Sequence, residues 1–172
     1  MADAHRGPRY QLTMAAAKAT QAALTAAHRN GGQLPGVIAE KIDPQILADV
    51  PRPKTVVCVS GTNGKTTTNN LLNDLLADNE YEVVNNRAGG NVANGIQSTL
   101  IRNATMSGGT KKDMAVMELD ELSFRKVLPY LTPDIILVTN LYRDSFSRNA
   151  NPDFIFNVMS HYVSPKTKLV LN

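Results

Sequence analysis

At 172 residues with 42% apolar content, the chain is long enough for one domain with a sizeable core and gives no reason to expect two complete ones. Its formal charge of +3 is carried by scattered Lys and Arg among only 5% aromatics, which argues against a nucleic-acid surface. A single cysteine, Cys58, excludes an internal disulfide and a cysteine-rich zinc site, and the absence of both a signal-peptide core and a stretch of roughly 20 apolar residues predicts a cytoplasmic protein without a transmembrane segment.

Residues 10–28 are rich in Ala and predict a helix, with Leu12, Met14, Ala17, Leu24 and Ala27 available for an apolar stripe. Leu34-Pro35-Gly36 predicts a turn, and residues 38–47 a short helical piece broken near Pro44. From there the pattern becomes strand followed by helix. Residues 55–59 are a continuous β-branched run, as expected of a strand covered on both faces, with Cys58 as a small core residue. Residues 66–77 predict a helix with Leu71, Leu72, Leu75 and Leu76 on its apolar side. A short strand at 82–85, a glycine-rich turn at 88–91 and a helix at 92–101 follow. Strands at 114–118 and 134–139 flank a short helix at 123–131, and a helix at 152–162 leads to a last strand at 168–171. This alternation defines an α/β fold with a parallel sheet. Residues 1–53 read as a helical N-terminal extension and residues 54–172 as the sheet domain.

The segment Ser60-Gly61-Thr62-Asn63-Gly64-Lys65-Thr66-Thr67 carries the strongest chemical signal. It lies between a buried strand and a helix, where glycines let backbone N–H groups turn around an anion and the helix N-terminus adds partial positive charge. Lys65 supplies a point charge for the β and γ phosphates of a nucleotide, and the Thr66 hydroxyl can ligate magnesium. The usual phosphate loop has a glycine five positions before Gly64, where this chain has Val59, so the loop is a shortened variant beginning at Gly61. ATP with Mg2+ is the expected ligand.

Residues 61–68, GTNGKTTT, resemble the phosphate loop of the Mur ligases, which join a carboxylate to an amine at the expense of ATP. Met117-Glu118-Leu119-Asp120-Glu121 resembles that family's acidic strand end, and Thr139-Asn140-Leu141-Tyr142-Arg143-Asp144 its downstream Thr-Asn segment. Leu34-Pro35-Gly36 and Asn86-Arg87-Ala88-Gly89-Gly90-Asn91 are similar to segments of the MurT branch, whose members have a short helical N-terminus in place of a UDP-binding domain.

The resemblance implies a P-loop central domain of Mur ligase type. It implies ATP-dependent amidation of the D-glutamate α-carboxylate of lipid II through an acyl phosphate. The ammonia would come from a GatD-like glutamine amidotransferase partner, within peptidoglycan biosynthesis. Residue by residue, it places Gly61, Thr62, Asn63, Gly64, Lys65, Thr66 and Thr67 on the nucleotide, and Thr66 and Glu118 on magnesium, with Asp120 and Glu121 competing for the role of Glu118. Asn140 either contacts nucleotide or orders the loop; Asn86, Arg87 and Asn91 either line the substrate side or serve local turn bonds. No catalytic residue is assigned, and His5, His28 and His161 read as surface or packing residues. In the MurT branch the chain continues past the segment that ends here at Asn172, so the expectation is a truncated central domain without the zinc ribbon and C-terminal ligase domain. Two readings compete with amidation: a catalytically inactive nucleotide-binding or interaction module, and another Mur-like ligase such as a folylpolyglutamate synthase.

Overall fold

The structure, a computed structural model, describes residues 6–29, 32–88, 90–142 and 151–172. Five strands form one all-parallel sheet in the order β2-β3-β1-β4-β5: β1 (Thr55–Ser60), β2 (Val83–Asn85), β3 (Met114–Glu118), β4 (Ile135–Val138) and β5 (Lys168–Leu171). The β-branched run of β1 takes the centre because both of its faces are covered, and from Val56 to Ser60 every residue is buried. Alternation along β1 then divides the core. Val57 and Val59 look to one face with Val116, where Leu72 and Leu76 of α4 (Lys65–Asp78) pack. Val56 and Cys58 look to the other, against α1 (Pro8–Ala26), α2 (Leu34–Ile42), α3 (Ile46–Asp49), α5 (Ala93–Asn103), α6 (Phe124–Val127) and α7 (Pro152–Tyr162). Burial pushes the Cys58 thiol up to about 12.

Three expectations from the sequence need correction. Leu34-Pro35-Gly36 is no turn but the first turn of α2, with Pro35 near the helix start, where its missing N–H costs nothing. Glycine is required at 36 because α2 crosses α5 there: a Cβ would overlap the Asn94 carbonyl and lie 2.9 Å from Ser98 Oγ, which accepts the Gly36 N–H at 2.8 Å. On α1 the buried stripe is Tyr10, Thr13, Met14 and Ala17. Leu12 and Ala27 are exposed, because Leu12 lies about 200° around the helix from Tyr10. On α4, Leu71 and Leu75 are exposed, and Asn69 and Asn73 are buried beside Leu72 and Leu76.

β5 lies at the sheet edge, and Leu169, Val170 and Leu171 each expose about half of their surface or more. No helix among the described residues is long and apolar enough to cross a membrane.

Candidate functional site

The carboxyl ends of β1, β3 and β4 converge, and the connections from β1 and β3 leave toward opposite sides of the sheet. That divergence opens a crevice at the strand ends, where open α/β sheets bind ligands. Between Ser60 and Lys65 the chain must turn from strand to helix in four residues, which it does with Gly61 at φ +124° and Gly64 at φ +79°. At Gly61 a Cβ would collide with Thr139 Oγ1 and lie 2.7 Å from the Asn140 carbonyl. Gly64 is the left-handed N-cap of α4, and it leaves the first N–H groups of the helix without a capping side-chain bond.

The segment after β4 braces this loop. Thr62 N donates to Asn140 O at 2.9 Å, Asn63 N donates to Asn140 Oδ1 at 3.0 Å, and Asn140 Nδ2 donates back to Asn63 O at 3.0 Å. Thr139 Oγ1 donates to Asn63 O at 2.7 Å, and Thr62 Oγ1 accepts from Tyr142 N at 2.9 Å. Of the two roles open to Asn140, loop ordering is the one these bonds display. Arg143 and Asp144 lie outside the described residues, as does Gly89 of the 86–91 segment.

Lys65 turns its ammonium into the loop, donating to Gly61 O, to Thr62 O at 3.1 Å and to Glu121 Oε1 at 3.2 Å. Glu121 is 3% exposed, and burial raises its pKa above the ordinary value, an effect only partly opposed by its own backbone N–H and by Lys65. Sequence reasoning had Glu121 only as a competitor of Glu118; its position three residues after the strand end directs it to Lys65 instead.

Glu118 is the last residue of β3, in register with Val59, and so stands beside the loop. Its Oε2 accepts from Thr66 Oγ1 at 2.7 Å, and its Oε1 accepts from Asn91 Nδ2 at 2.8 Å. Asn86, buried at the end of β2, continues the sheet ladder with its side chain: Oδ1 accepts from Glu118 N at 2.9 Å and Nδ2 donates to Glu118 O at 2.8 Å. Asp120 takes no part, because its carboxylate accepts from Leu122 N at 3.1 Å and caps the 3-10 turn Glu121–Ser123. The three acidic residues therefore sort by geometry: Glu118 to Thr66, Glu121 to Lys65, Asp120 to the backbone.

Thr66, Asn69, Asn70, Asn86, Arg87 and Asn91 surround Glu118 in a polar cavity of about 370 Å3. Thr66, Asn69 and Asn70 share one face of α4 at i, i+3 and i+4, a spacing legible in TTTNN although the sequence reading passed over it. Asn69 Oδ1 is buried with no hydrogen-bond partner among the described residues. Arg87 is fastened to α4, donating from Nε to Asn70 Oδ1 and from Nη2 to Asp74 Oδ1, both at 2.6 Å. Thr67 is exposed on the first turn of α4. A larger cavity of about 470 Å3, lined chiefly by apolar side chains such as Ile136, Val138 and Met159, lies away from these groups under α7.

A parallel sheet with a glycine loop between its central strand and a helix, faced by an acidic strand end, defines a class of α/β domain whose ligand crevice lies at the carboxyl ends of the strands. Residues 59–170 match the family model described as the Mur ligase middle domain. The chain belongs to the Mur ligase family, as the resemblance of its loop implied. It is 39% identical over 158 residues to the MurT subunit of lipid II isoglutaminyl synthase (glutamine-hydrolyzing) from Staphylococcus aureus strain COL, covering 91% of this chain and 35% of that one. The corresponding MurT subunit from Streptococcus pneumoniae is 36% identical over 118 residues, covering 69% and 26%. The chain thus spans about a third of the length of the first of these relatives. Among solved structures, MurF from Acinetobacter baumannii superposes with a TM-score of 0.60 at 17% identity, over 78% of this chain and 30% of that one. MurF ligase from Thermotoga maritima in complex with ADP gives 0.58 at 19% identity, over 80% and 32%. At these identities the structures attest the fold.

Proposed function

We propose that this chain is the ATP-binding part of an amide ligase of MurT type, acting in peptidoglycan biosynthesis in the cytoplasm, with residues 1–53 as a helical extension on the 54–172 nucleotide-binding domain. The observation that carries this reading is the pairing of Thr66 Oγ1 with Glu118 Oε2 at 2.7 Å, directly beside a glycine loop that holds Lys65 at a helix N-terminus. The residues present fit both implied groups. A hydroxyl and a carboxylate oxygen are the hard donors that magnesium takes, and a lysine at a helix N-terminus that no side chain caps joins a point charge to the helix's partial positive charge, a combination that suits phosphates. Thr66 and Glu118 would hold the metal, residues 61–67 the phosphates, and Asn140 would keep the loop in shape while lying at the nucleotide's edge.

When bound, ATP and magnesium supply a phosphoryl group that activates a carboxylate for attack by ammonia. The chain's own residues position and neutralise. Lys65 offsets phosphate charge, Glu118 orients the Thr66 hydroxyl, and Asn86 and Asn91 hold Glu118. Asn86, Arg87 and Asn91 would border the substrate carboxylate in the polar cavity. The substrate of the whole protein would be the lipid II stem peptide, with ammonia from a GatD-like partner, as the names of the MurT relatives suggest. This chain spans about a third of such a relative, so its own expected activity is weak ATP·Mg binding without ligation. Calorimetry with ATP and Mg2+ tests the reading: Lys65→Ala should abolish binding, and undiminished binding would overturn the assignment.

A further inference from the structure

We propose that the face built by α1, α5 and the start of β3 holds a phosphate or diphosphate group, gripped by Lys18, Arg102, Lys111 and Lys112. Two cavities of about 320 and 230 Å3 lie there, and Arg102 and Lys111 line both. Lys112 borders the first cavity and Lys18 the second, and among the described residues no carboxylate borders either. Elsewhere on the molecule Arg52, Lys54 and Arg87 each meet a carboxylate within 3.0 Å. Among the described residues none of these four cations does.

Their partners are neutral. Lys18 Nζ donates to Ile101 O at 2.9 Å and Ala104 O at 2.6 Å, and Lys112 Nζ donates to Val83 O at 3.2 Å. Arg102 uses only Nη2, at 3.2 Å to Asn85 O and 3.4 Å to Thr99 Oγ1, so most of its five N–H donors have no protein acceptor among the described residues. Half-burying cations together without a counter-charge raises their energy. Lys18 is accordingly held below the ordinary ammonium range by burial and by Lys111, and Arg102 below its own by burial. A dianion beside Lys111 would offset the charge that Lys111 presents to Lys18 and would supply the acceptors that Arg102 lacks, and Arg matches phosphate oxygens two at a time.

The first of these cavities also touches Arg87, which borders the polar cavity at Glu118. A long ligand could therefore present a phosphate here and another group there. The phosphate can come from a lipid-linked diphosphate or from a soluble one; the chemistry of capture is shared.

The test uses the full chain carrying Lys65→Ala, so that the glycine loop does not contribute, and titrates it calorimetrically with inorganic pyrophosphate. Binding should persist in that background and weaken about tenfold or more when Lys111→Glu is added, with a further loss in added salt. Lys111 is exposed and its reversal removes a repulsion on Lys18, so the melting temperature should not fall, and Arg102→Lys, which keeps the charge while losing the fork, should also weaken pyrophosphate binding. Cosedimentation with phosphatidylcholine vesicles carrying a polyprenyl diphosphate, against phosphatidylcholine alone, assigns the lipid source if it is lost with Lys111→Glu. Capture of soluble pyrophosphate alone assigns the soluble source. Absence of pyrophosphate and vesicle binding in the Lys65→Ala chain, or binding indifferent to Lys111→Glu, overturns the proposal. The nucleotide reading fails separately, through ATP binding that ignores Lys65→Ala in a chain whose second site is already disabled by Lys111→Glu.

Discussion

Lys65 and Glu121 form an ion pair inside the glycine loop, 3.2 Å from Nζ to Oε1, with side chains 14% and 3% exposed. The pair lies between the strand that ends in the loop and the turn that follows β3, so it ties the two sides of the crevice together. A buried pair of this kind adds little net stability over an apolar substitute, but removing one partner leaves a desolvated charge. Its value here is placement: Glu121 keeps the ammonium among the loop carbonyls of Gly61 and Thr62.

The pH dependence follows from the raised pKa of Glu121. The native state holds the proton at pH values where the unfolded chain has already released it. Stability therefore falls as pH rises from the ordinary glutamate value to the raised one, and levels off above it. Urea unfolding of the chain across about pH 4 to 8 should show this slope, and Glu121→Gln should flatten it. Lys65→Ala removes a charge that opposes the shift, so it should extend the slope to higher pH and cost up to about 3 kcal/mol near neutrality. A profile unchanged by Glu121→Gln would refute the argument.

Metal dependence should separate Glu118 from Lys65. Glu118→Gln keeps the shape and an acceptor for Thr66 but removes the charge that a cation needs. Nucleotide affinity measured with and without Mg2+ should then show a wild-type gain from the metal that Glu118→Gln loses. Lys65→Ala should lose affinity in both conditions.

The architecture is plain from the alternation of strand and helix and from the central strand β1, which is buried on both faces and written as a nearly unbroken β-branched run. The glycine loop was equally plain, since its chemistry is local. What stayed hidden depends on contacts distant in sequence. Gly36 looked like a turn residue because nothing near it indicates that α2 crosses α5 at that point. Leu71 and Leu75 looked like core because composition does not say which side of α4 meets the sheet, and Asn69 and Asn73 occupy that side instead. Glu121 could not be told from Asp120 until the 3-10 turn sent one toward Lys65 and the other toward the backbone.

The two loop glycines should respond unequally to alanine. Both have positive φ, but a Cβ at Gly64 meets nothing within 4 Å, whereas one at Gly61 strikes Thr139 and Asn140. Gly64→Ala should cost about 1 kcal/mol, the price of a left-handed alanine. Gly61→Ala should cost roughly 3 kcal/mol and displace the 139–142 segment, which chemical denaturation and the amide resonances of Asn63 and Tyr142 can report.

Cys58 should be a silent thiol in the native state. It is fully buried at the centre of the sheet, and burial pushes its pKa to about 12, so almost no thiolate exists near neutrality. A thiol reagent should label it only through unfolding, at a rate that rises with urea. Rapid labelling of the native chain would contradict the packing around β1.

Asn86 provides the sharpest test of how the site is held. Its side-chain amide takes the place of a strand residue, accepting from Glu118 N and donating to Glu118 O and to Gly90 O at 2.9 Å. Because the group is 3% exposed, water cannot readily replace those bonds. Asn86→Ala should cost about 1–3 kcal/mol and loosen Glu118, reducing the magnesium-dependent part of nucleotide binding. Asn86→Asp keeps the acceptor facing Glu118 N but turns an oxygen toward two carbonyl oxygens. Near neutral pH it should therefore be less stable than alanine despite its closer shape, and it should recover as pH falls and the new carboxyl gains a proton. Equal stability of the two variants at both pH values would mean that the Asn86 donor bonds contribute nothing, and would remove Asn86 from the support of the site.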